Sequence, residues 1–484
     1  MKNRVVLTAL VVLALAACGG SSGDGSAPDV LPVTTSHVLA FGPITGFGSV
    51  LVNGVRFETA AASVTLDDEH GTVADLRAGM VVSIGGTIDT RTRAANASEI
   101  TFVDDAEGPV SSINFQAQSF VVLGRTVSVD ELTAFESITF QDLEVGHVVE
   151  VSGLWRSQER IQATYLRRVA NRYVDGTTME VKGKISGLDI GRQRFRIGAQ
   201  YCDYSAAMLE LGGADLADGV YVAVSGTTAI AGGDMMLNRV QVRDRDRDRR
   251  RLCAGDCDFE LVGYVTSYVS ATEFEVDGQP VTTSEYTVYV NGTINTLALD
   301  VKVSIDGTLD EAGALAADRI VFHLPSLVEI EADVAGLSSG SETVTVLGID
   351  VRTNEFTLFR DLTTSGPQDF GLDDLAVGDR VEIRAVLDGD AVVASRLERD
   401  DADEGVTLKA PVESVDRPGI TLLGVTLTSD ENTTFQNASH VEVDADTFFG
   451  LVEPGSLVRA EGIYDGAAIR ASKMFLRECV NGCL

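Results

Sequence analysis

Five of the six cysteines lie in the body of the chain, and their spacing is the clearest chemical signal there. Four form two C-x-x-x-C pairs, Cys253 with Cys257 and Cys479 with Cys483, each directly after the last predicted strand of a repeated unit. In an oxidising compartment each pair predicts a local disulfide, and a glycine inside each loop eases the tight turn. Cross-linking between the pairs and a zinc site of four thiolates are the alternatives.

Cys202 is left over from this pairing. It follows Tyr201, which stands where other copies of the repeat have a large apolar residue that we expect in the core. Because side chains alternate between the two faces of a strand, Cys202 should point outward. The sequence therefore predicts an exposed free thiol at Cys202, with Cys253 or Cys257 as competing partners.

Other residue types that support catalysis are present without the patterns that catalysis requires. The five histidines are scattered singly, and both G-x-S-x-G matches lack the strand–turn–helix context of a nucleophile elbow. Asp244, Asp246 and Asp248 begin like a calcium loop, but the Gly and Glu that such a loop needs are missing. Acidic pairs such as Asp67 with Asp68 leave paired-carboxylate catalysis open. We assign no catalytic residue, no metal site and no cofactor.

The N-terminus resembles the signal segment of bacterial lipoproteins. Lys2 and Arg4 precede an apolar stretch, 5–17, that is too short to anchor stably across a bilayer. The sequence Leu-Ala-Ala-Cys18 then matches the lipobox, whose cysteine becomes the first mature residue and carries acyl chains such as palmitate. Gly19 replaces the Asp typical of inner-membrane retention, so the resemblance implies an outer-membrane lipoprotein. An ordinary secretory signal is the alternative.

Composition indicates a globular and strongly acidic body behind a flexible tether. Hydrophobic residues make up 44% of the chain, and the formal charge is −34, or −36 after removal of Lys2 and Arg4. A body of this charge repels nucleic acid and anionic membrane surfaces. Residues 19 to about 36 are Gly, Ser, Asp, Pro and Thr in the main, which predicts a tether that buries no apolar surface.

A short unit recurs six times and determines the predicted architecture. In each copy an apolar strand ends in a Gly, and a large apolar residue follows three positions later. Successive glycines lie 70 to 80 residues apart, which indicates tandem small domains rather than one large core. The six pairs are Gly54/Phe57, Gly124/Val127, Gly198/Tyr201, Gly278/Val281, Gly348/Val351 and Gly424/Leu427.

Each copy predicts five short strands with a connector between the third and the fourth. Asn53-Gly54 and Asp277-Gly278 are strong signals for two-residue hairpins, and long amphipathic helices are missing from the pattern. The sheet should therefore be antiparallel, and five strands in this order predict a small OB-like barrel. A small open sandwich is the alternative. The lone Trp155 is predicted at a loop or barrel rim, and a ligand-stacking role is the alternative.

The repeat also resembles a bacterial family, domain of unknown function 5666. The shared features are the G-x-x-V turn, a D-L-x-V-G strand entry and a closing A-x-x-I/L strand. The second and fifth copies match best, at 142–146 and 374–378, and the fourth departs at Asp300, where Gly is expected. The family name states that the function is not established, so the resemblance implies no catalytic residue.

The predicted fold class is all-β, with six tandem five-stranded antiparallel OB-like barrels joined by short acidic linkers. The predicted segments are a signal peptide 1–17, a lipidated tether 18–37, repeats at 38–103, 107–169 and 179–243, a charged linker with a Cys pair 244–257, and repeats at 258–323, 327–398 and 406–478.

We expect a non-enzymatic binding or structural scaffold anchored to the outer membrane by lipid. Candidate partners are proteins, peptides or polysaccharides of the envelope, and nucleic acid is not expected. The alternative is a hydrolase-like extracytoplasmic enzyme with a site in a groove between repeats.

Overall fold

Each copy of the repeat folds as a small closed β-barrel in a computed structural model. The structure describes residues 35–89, 94–229, 234–243, 252, 257–310, 313–324, 326–354, 356–363, 370–438 and 441–477. The signal segment and residues 18–34 of the predicted tether lie outside these ranges, whereas residues 35–37 belong to the first strand.

The first three copies contain strands β1 to β21. Copy 1 contains β1 (Thr35–Gly46), β2 (Val50–Val52), β3 (Val55–Glu58), β4 (Ser63–Leu66), β5 (Glu69–Gly71), β6 (Val81–Asp89) and β7 (Ala95–Phe102). Copy 2 contains β8 (Ala106–Asn114), β9 (Ser119–Val122), β10 (Arg125–Ser128), β11 (Ala134–Glu136), β12 (Val148–Ser157) and β13 (Arg160–Ala170). Copy 3 contains β14 (Met179–Asp189), β15 (Arg194–Ile197), β16 (Gln200–Asp203), β17 (Met208–Glu210), β18 (Tyr221–Gly226), β19 (Thr228–Ala229), β20 (Met235–Met236) and β21 (Arg239–Val242).

The last three copies contain strands β22 to β41. Copy 4 contains β22 (Cys257–Ser270), β23 (Glu273–Val276), β24 (Gln279–Thr282), β25 (Val288–Val290), β26 (Lys302–Leu309) and β27 (Leu315–Phe322). Copy 5 contains β28 (Val328–Ser338), β29 (Thr343–Val346), β30 (Ile349–Arg352), β31 (Leu358–Asp361), β32 (Arg380–Asp388) and β33 (Ala391–Asp400). Copy 6 contains β34 (Val406–Pro411), β35 (Ser414–Asp416), β36 (Gly419–Leu422), β37 (Val425–Thr428), β38 (Thr434–Gln436), β39 (Glu442–Val443), helix α1 (Ala445–Leu451), β40 (Leu457–Tyr464) and β41 (Ala468–Arg477).

Helical structure in the described residues is short. Single 3-10 turns lie at Val73–Asp75, Ile294–Thr296, Ser339–Ser341 and Leu372–Asp374. Helix α1 begins after Asp444, whose side chain accepts a hydrogen bond from the Thr447 backbone N–H at 2.7 Å and so caps the helix. No helix in the described ranges is long and apolar enough to cross a membrane.

Copy 2 shows how a barrel closes. The strand order around it is β8–β9–β10–β13–β12 and back to β8, which confirms the predicted OB-like barrel. The pairings are antiparallel, as predicted, except that β10 runs parallel to β13. The exception arises because strand directions cannot alternate at every step around a closed ring of five strands, so one pairing must be parallel. The connector adds a further short strand, β11, which also lies parallel to β13.

The hairpin between the second and third strands differs in copy 3. In copy 2 both turn residues, Leu123 and Gly124, have positive φ, at 42° and 71°, which is the backbone of a type I′ turn. In copy 3 the glycine comes first: Gly198 has φ 57°, and Ile197 pairs with Gln200 across the turn. The third strand of copy 3 is therefore displaced by one residue relative to the hairpin glycine.

The six barrels join in pairs through their first strands. One sheet of 13 strands unites copies 1 and 4, and two sheets of 14 strands unite copies 2 with 3 and copies 5 with 6. Strands β8 and β14 pair antiparallel, as do β28 and β34, whereas β1 and β22 pair parallel. Copies 1 and 4 are therefore partners although two other copies separate them in the chain.

Apolar cores continue across the boundaries between copies. Copies 2 and 3 share one core, and so do copies 5 and 6. Ala134 and Tyr165 of copy 2 pack into the core of copy 1, and Leu39 of copy 1 packs into that of copy 4. The residues from Thr35 onward form one compact unit. Each copy thus forms its own barrel, but neighbouring copies share apolar cores.

The links between barrels are of two kinds. Residues 401–404, between copies 5 and 6, are exposed, as expected of an acidic linker. Asp104, between copies 1 and 2, is only 3% exposed. Asp104 is buried because a lysine from copy 3 reaches it.

Candidate functional site

The predicted thiol sites are only partly within the described residues. Cys18, Cys253, Cys479 and Cys483 lie outside them. Cys257 begins β22, is buried and is disulfide-bonded. The local disulfides Cys253–Cys257 and Cys479–Cys483 therefore stay predictions.

Cys202 is free, but it is buried rather than outward-facing. It is 1% exposed, whereas Tyr201 is 53% exposed, so the predicted orientations of the two are wrong. The reason is the displaced hairpin after Gly198, which brings Cys202 opposite Phe195, as Val127 lies opposite a phenylalanine in copy 2. Burial raises the pKa of the Cys202 thiol to about 12. A buried thiol with a raised pKa is a poor nucleophile.

Two histidines of the described ranges, His147 and His323, make polar contacts that have structural roles. The Nδ1 of His147 accepts a hydrogen bond from the backbone N–H of Glu144 at 3.1 Å. His323 Nε2 lies 2.7 Å from Ser304 Oγ, and burial, followed by nearby Lys302, lowers the pKa of His323 to about 3. Ser304 is 3% exposed, so its hydroxyl is buried in the folded protein.

Trp155 joins three copies and is not a rim residue as predicted. It lies in β12 and is 4% exposed. Its backbone N–H donates to Asp277 Oδ1 of copy 4 at 3.0 Å, and its indole N–H donates to the Asp105 carboxylate. The Arg125 guanidinium lies 4.4 Å from the ring centroid, and the Tyr221 ring of copy 3 lies 6.1 Å away. The side chain is therefore held in one orientation at the junction of copies 2, 3 and 4.

Lys182 holds the buried link between copies 1 and 2. Its side chain is 3% exposed, and its Nζ contacts the carboxylates of Asp104, Asp67 at 3.1 Å and Glu180 at 2.9 Å. Burial raises the pKa of Asp104 well above its usual range, against the opposing charge of Lys182. One buried ammonium thus serves carboxylates from the link, from copy 1 and from copy 3.

A row of three glutamates crosses the sheet of copies 2 and 3. Glu150, Glu107 and Glu180 are direct neighbours on β12, β8 and β14. Glu150 contacts Arg167 and Glu180 contacts Lys182, but no cation among the described residues contacts Glu107. Burial, and then the charge of Glu150, raise the pKa of Glu107 to about 7. The row keeps like charges side by side, which costs stability when all three are ionised.

The equivalent region of copies 5 and 6 is rich in cations. Glu329 lies as far before the hairpin glycine of copy 5 as Asp105 does in copy 2. It contacts Arg384, Arg459 at 3.1 Å and Lys409 at 3.6 Å. Burial alone would raise the pKa of Glu329, but these three cations lower it. For Asp105, burial raises the pKa to about 6.

Asp300 makes a contact between copies 4 and 2. It stands where other copies have Gly, with φ 69°, and this departure is the one seen in the sequence. Its carboxylate accepts hydrogen bonds from Arg156 Nε and Nη2 at 2.5 and 2.6 Å, and from Arg160 Nη2 at 3.3 Å. A departure from the repeat pattern here marks a contact between barrels.

A cleft of about 740 Å³ lies where copies 2, 3 and 4 meet, beside Trp155. Copy 2 contributes Trp155 and the loop 157–159, and copies 3 and 4 contribute both charged and apolar side chains. Trp155, Tyr221 and Arg243 also line a second cavity of about 250 Å³. The remaining lining residues of the cleft are Lys184, Gly219, Val220, Tyr221, Val242, Arg243, Thr266, Glu275, Gly278 and Pro280.

The charges of this cleft balance on an otherwise acidic protein. Glu159 and Glu275 face it together with Lys184 and Arg243. Within the described ranges no three His, Cys, Asp or Glu side chains are grouped to hold a metal ion. The arrangement is suited to holding a polar ligand against the half-buried Tyr221 ring.

Sequence reasoning missed a threonine that recurs in four copies. Thr133 Oγ1 accepts a hydrogen bond from the Asp130 backbone N–H at 3.0 Å and donates one to the Ala163 carbonyl at 2.8 Å. The same two bonds recur at Thr287, Thr357 and Thr433. The signal was present as a [DNS]-E-x-T motif in copies 2, 4, 5 and 6. It ties the connector to the last strand.

Comparison with known proteins gives the family but no function. No curated protein matches the chain. A solved structure described as drosophila Unr CSD456 is 14% identical to this chain, and the match covers 44% of this chain and 98% of that chain. Its TM-score of 0.14 does not show a shared overall fold. The family model "Domain of unknown function (DUF5666)" matches residues 107–167, 262–321, 330–398 and 409–474, which are the four copies with the recurring threonine. These segments cover more than half of the sequence, and the chain belongs to the DUF5666 family.

Proposed function

We propose that this protein is a non-enzymatic binding scaffold of the cell envelope. The observation that supports it best is the cleft beside Trp155, which three barrels build together. Asp277 and Asp300 of copy 4 are hydrogen-bonded to Trp155 and Arg156 of copy 2, so the walls of the cleft are held at a defined spacing. A rigid cleft of this volume binds a ligand without a large cost in ordering.

The scaffold is anchored through lipid on Cys18 and faces the envelope from the outer membrane. The lipobox at 15–18 and the Gly at position 19 support this part of the proposal. Cys18→Ser should abolish incorporation of labelled palmitate and release or stall the precursor, whereas Cys202→Ser should incorporate palmitate normally. Palmitate on the Cys18→Ser protein would contradict the lipid anchor.

Binding is tested through the intrinsic fluorescence of the chain. Trp155 is the only tryptophan of the sequence and lines the cleft, so its emission reports on this junction of copies 2, 3 and 4. Titration of the purified full-length protein with envelope fractions should change this emission saturably and leave the added material chemically intact by mass spectrometry. Turnover of the added material would contradict a non-enzymatic role and favour the hydrolase-like alternative.

A further inference from the structure

The cleft combines the two surfaces that OB-type barrels use for ligands. Such barrels bind through the face of their second and third strands and through the loop between the fourth and fifth strands. Residues 157–159 form that loop in copy 2, between β12 and β13. Glu275 and Pro280 lie on β23 and β24, the second and third strands of copy 4. Two copies thus turn complementary parts of their ligand surfaces toward one space.

Charge decides between the two ligand classes that these surfaces usually take, oligonucleotides and oligosaccharides. A nucleic acid needs a basic surface, but the chain carries a formal charge of −34 and the cleft itself is balanced. A neutral polymer of hydroxyl groups meets no such repulsion. The charge balance therefore favours a neutral saccharide.

The lining of the cleft supplies what a sugar ring requires. The half-buried ring of Tyr221 offers apolar surface to the C–H face of a pyranose, and the buried Trp155 packs behind it. Gln158 and Glu275 offer donors and acceptors to its hydroxyl groups. Trp155 is held by Asp105 and Asp277, so the support of the Tyr221 ring is pre-organised.

We propose that the cleft between copies 2, 3 and 4 binds a neutral oligosaccharide. This proposal rests on the proposed binding function and names the class of its ligand. Glu275 contacts the sugar hydroxyl groups, and the Tyr221 ring, backed by Trp155, contacts a ring face.

The experiment uses the purified full-length protein in detergent and three neutral probes, maltohexaose, cellohexaose and chitohexaose. At least one should change Trp155 emission saturably below about 1 mM. Glu275→Ala should weaken that binding about tenfold, the loss expected for a charged hydrogen bond. The matched control is Glu273→Ala on the same strand, which is exposed, lies outside the cleft and should leave the affinity unchanged.

The outcomes separate this inference from the proposed function. No saturable change with any of the three saccharides, together with a change on adding a mixed neutral peptide library, would overturn the saccharide and keep the binding scaffold. Equal loss of affinity in the Glu275→Ala and Glu273→Ala proteins would place the binding elsewhere and overturn the site. Shortened saccharides in the mixture would keep the ligand class and contradict the non-enzymatic function. Unchanged circular dichroism of both variants excludes misfolding as the cause.

Discussion

Copies 2 with 3 and copies 5 with 6 form two barrel pairs of the same topology with different electrostatics. In the first pair Lys182 lies opposite the buried link between barrels and serves three carboxylates. In the second pair Lys409 occupies the equivalent position opposite Glu329, which has two arginines as well. The first pair is therefore held together by few cations and the second by many. The comparison shows that one backbone pairing tolerates either a few or many cations around its acidic side chains.

The largest expected effect on stability is that of replacing Lys182, the lysine that contacts the buried Asp104. Lys182→Met should destabilise copies 2 and 3 by about 3–5 kcal/mol, because Asp104 is left buried without its cation. Lys409→Met should cost about 1 kcal/mol, because Arg384 and Arg459 still neutralise Glu329. Amide hydrogen exchange measures the two pairs separately. Equal protection losses in the two variants would contradict the difference in electrostatics.

The close contact between barrels can be tested at two glycines that have the same backbone conformation. Gly124 and Gly424 have φ 71° and 74°, so Ala strains either turn by about 1–2 kcal/mol. At Gly124 a Cβ would lie 2.4 Å from the backbone nitrogen of Gln200 in copy 3, whereas at Gly424 nothing lies within 4 Å. Gly124→Ala should therefore cost about 1–3 kcal/mol more than Gly424→Ala. Hydrogen exchange in β16 should rise only for Gly124→Ala, and no change there would refute the close contact.

The pH dependence of the two pairs should have opposite signs. The pKa of Glu107 is raised from 4.5 to about 7, so its contribution to stability is greatest below pH 4.5 and is lost as the pH rises towards 7. The pKa of Glu329 is lowered, so its contribution is present above pH 4.5 and is lost as the pH falls. At pH 7.0, Glu107→Gln should stabilise its pair and Glu329→Gln should destabilise its own.

The measurement is hydrogen exchange of each variant against the parent protein at about pH 7 and about pH 4.5, corrected for intrinsic exchange rates. The effect of Glu107→Gln should shrink at the lower pH, because Glu107 is then protonated in the parent. The same sign for both variants at pH 7.0 would show that the row of glutamates does not repel as the geometry implies.

The smallest expected effect concerns the displaced strand of copy 3. Cys202 occupies the core position that Leu427 has in copy 6, so Cys202→Val should change stability by less than about 1 kcal/mol. The native thiol should resist iodoacetamide at pH 8 and react after unfolding, because burial raises its pKa to about 12. Rapid alkylation of the folded protein would instead support the outward orientation predicted from the sequence.

The sequence could predict those features that depend on short stretches of the chain. The six hairpin glycines, the connector and the closing Ala-x-x-Ile/Leu step gave the barrel count and the strand order. The recurring threonine was equally readable, since Asp130 to Thr133 and its three equivalents are local motifs. The orientation of Cys202 was predicted wrongly because a single Gly can occupy either the first or the second position of a two-residue turn. Only the strand pairing reveals which position the Gly occupies.

The candidate site was beyond local reasoning because its members come from different barrels. Trp155 and Asp300 were visible as departures from the repeat, but not as neighbours across copies 2 and 4. Strands β1 and β22 pair in parallel although they lie more than two hundred residues apart in the chain. No short-range signal in the sequence predicts this pairing. By itself the sequence determined six small OB-like barrels, because turns and strand alternation act over a few residues. Only the tertiary structure decided which barrels share sheets and cores, because buried area and charge pairing between distant surfaces select the partners.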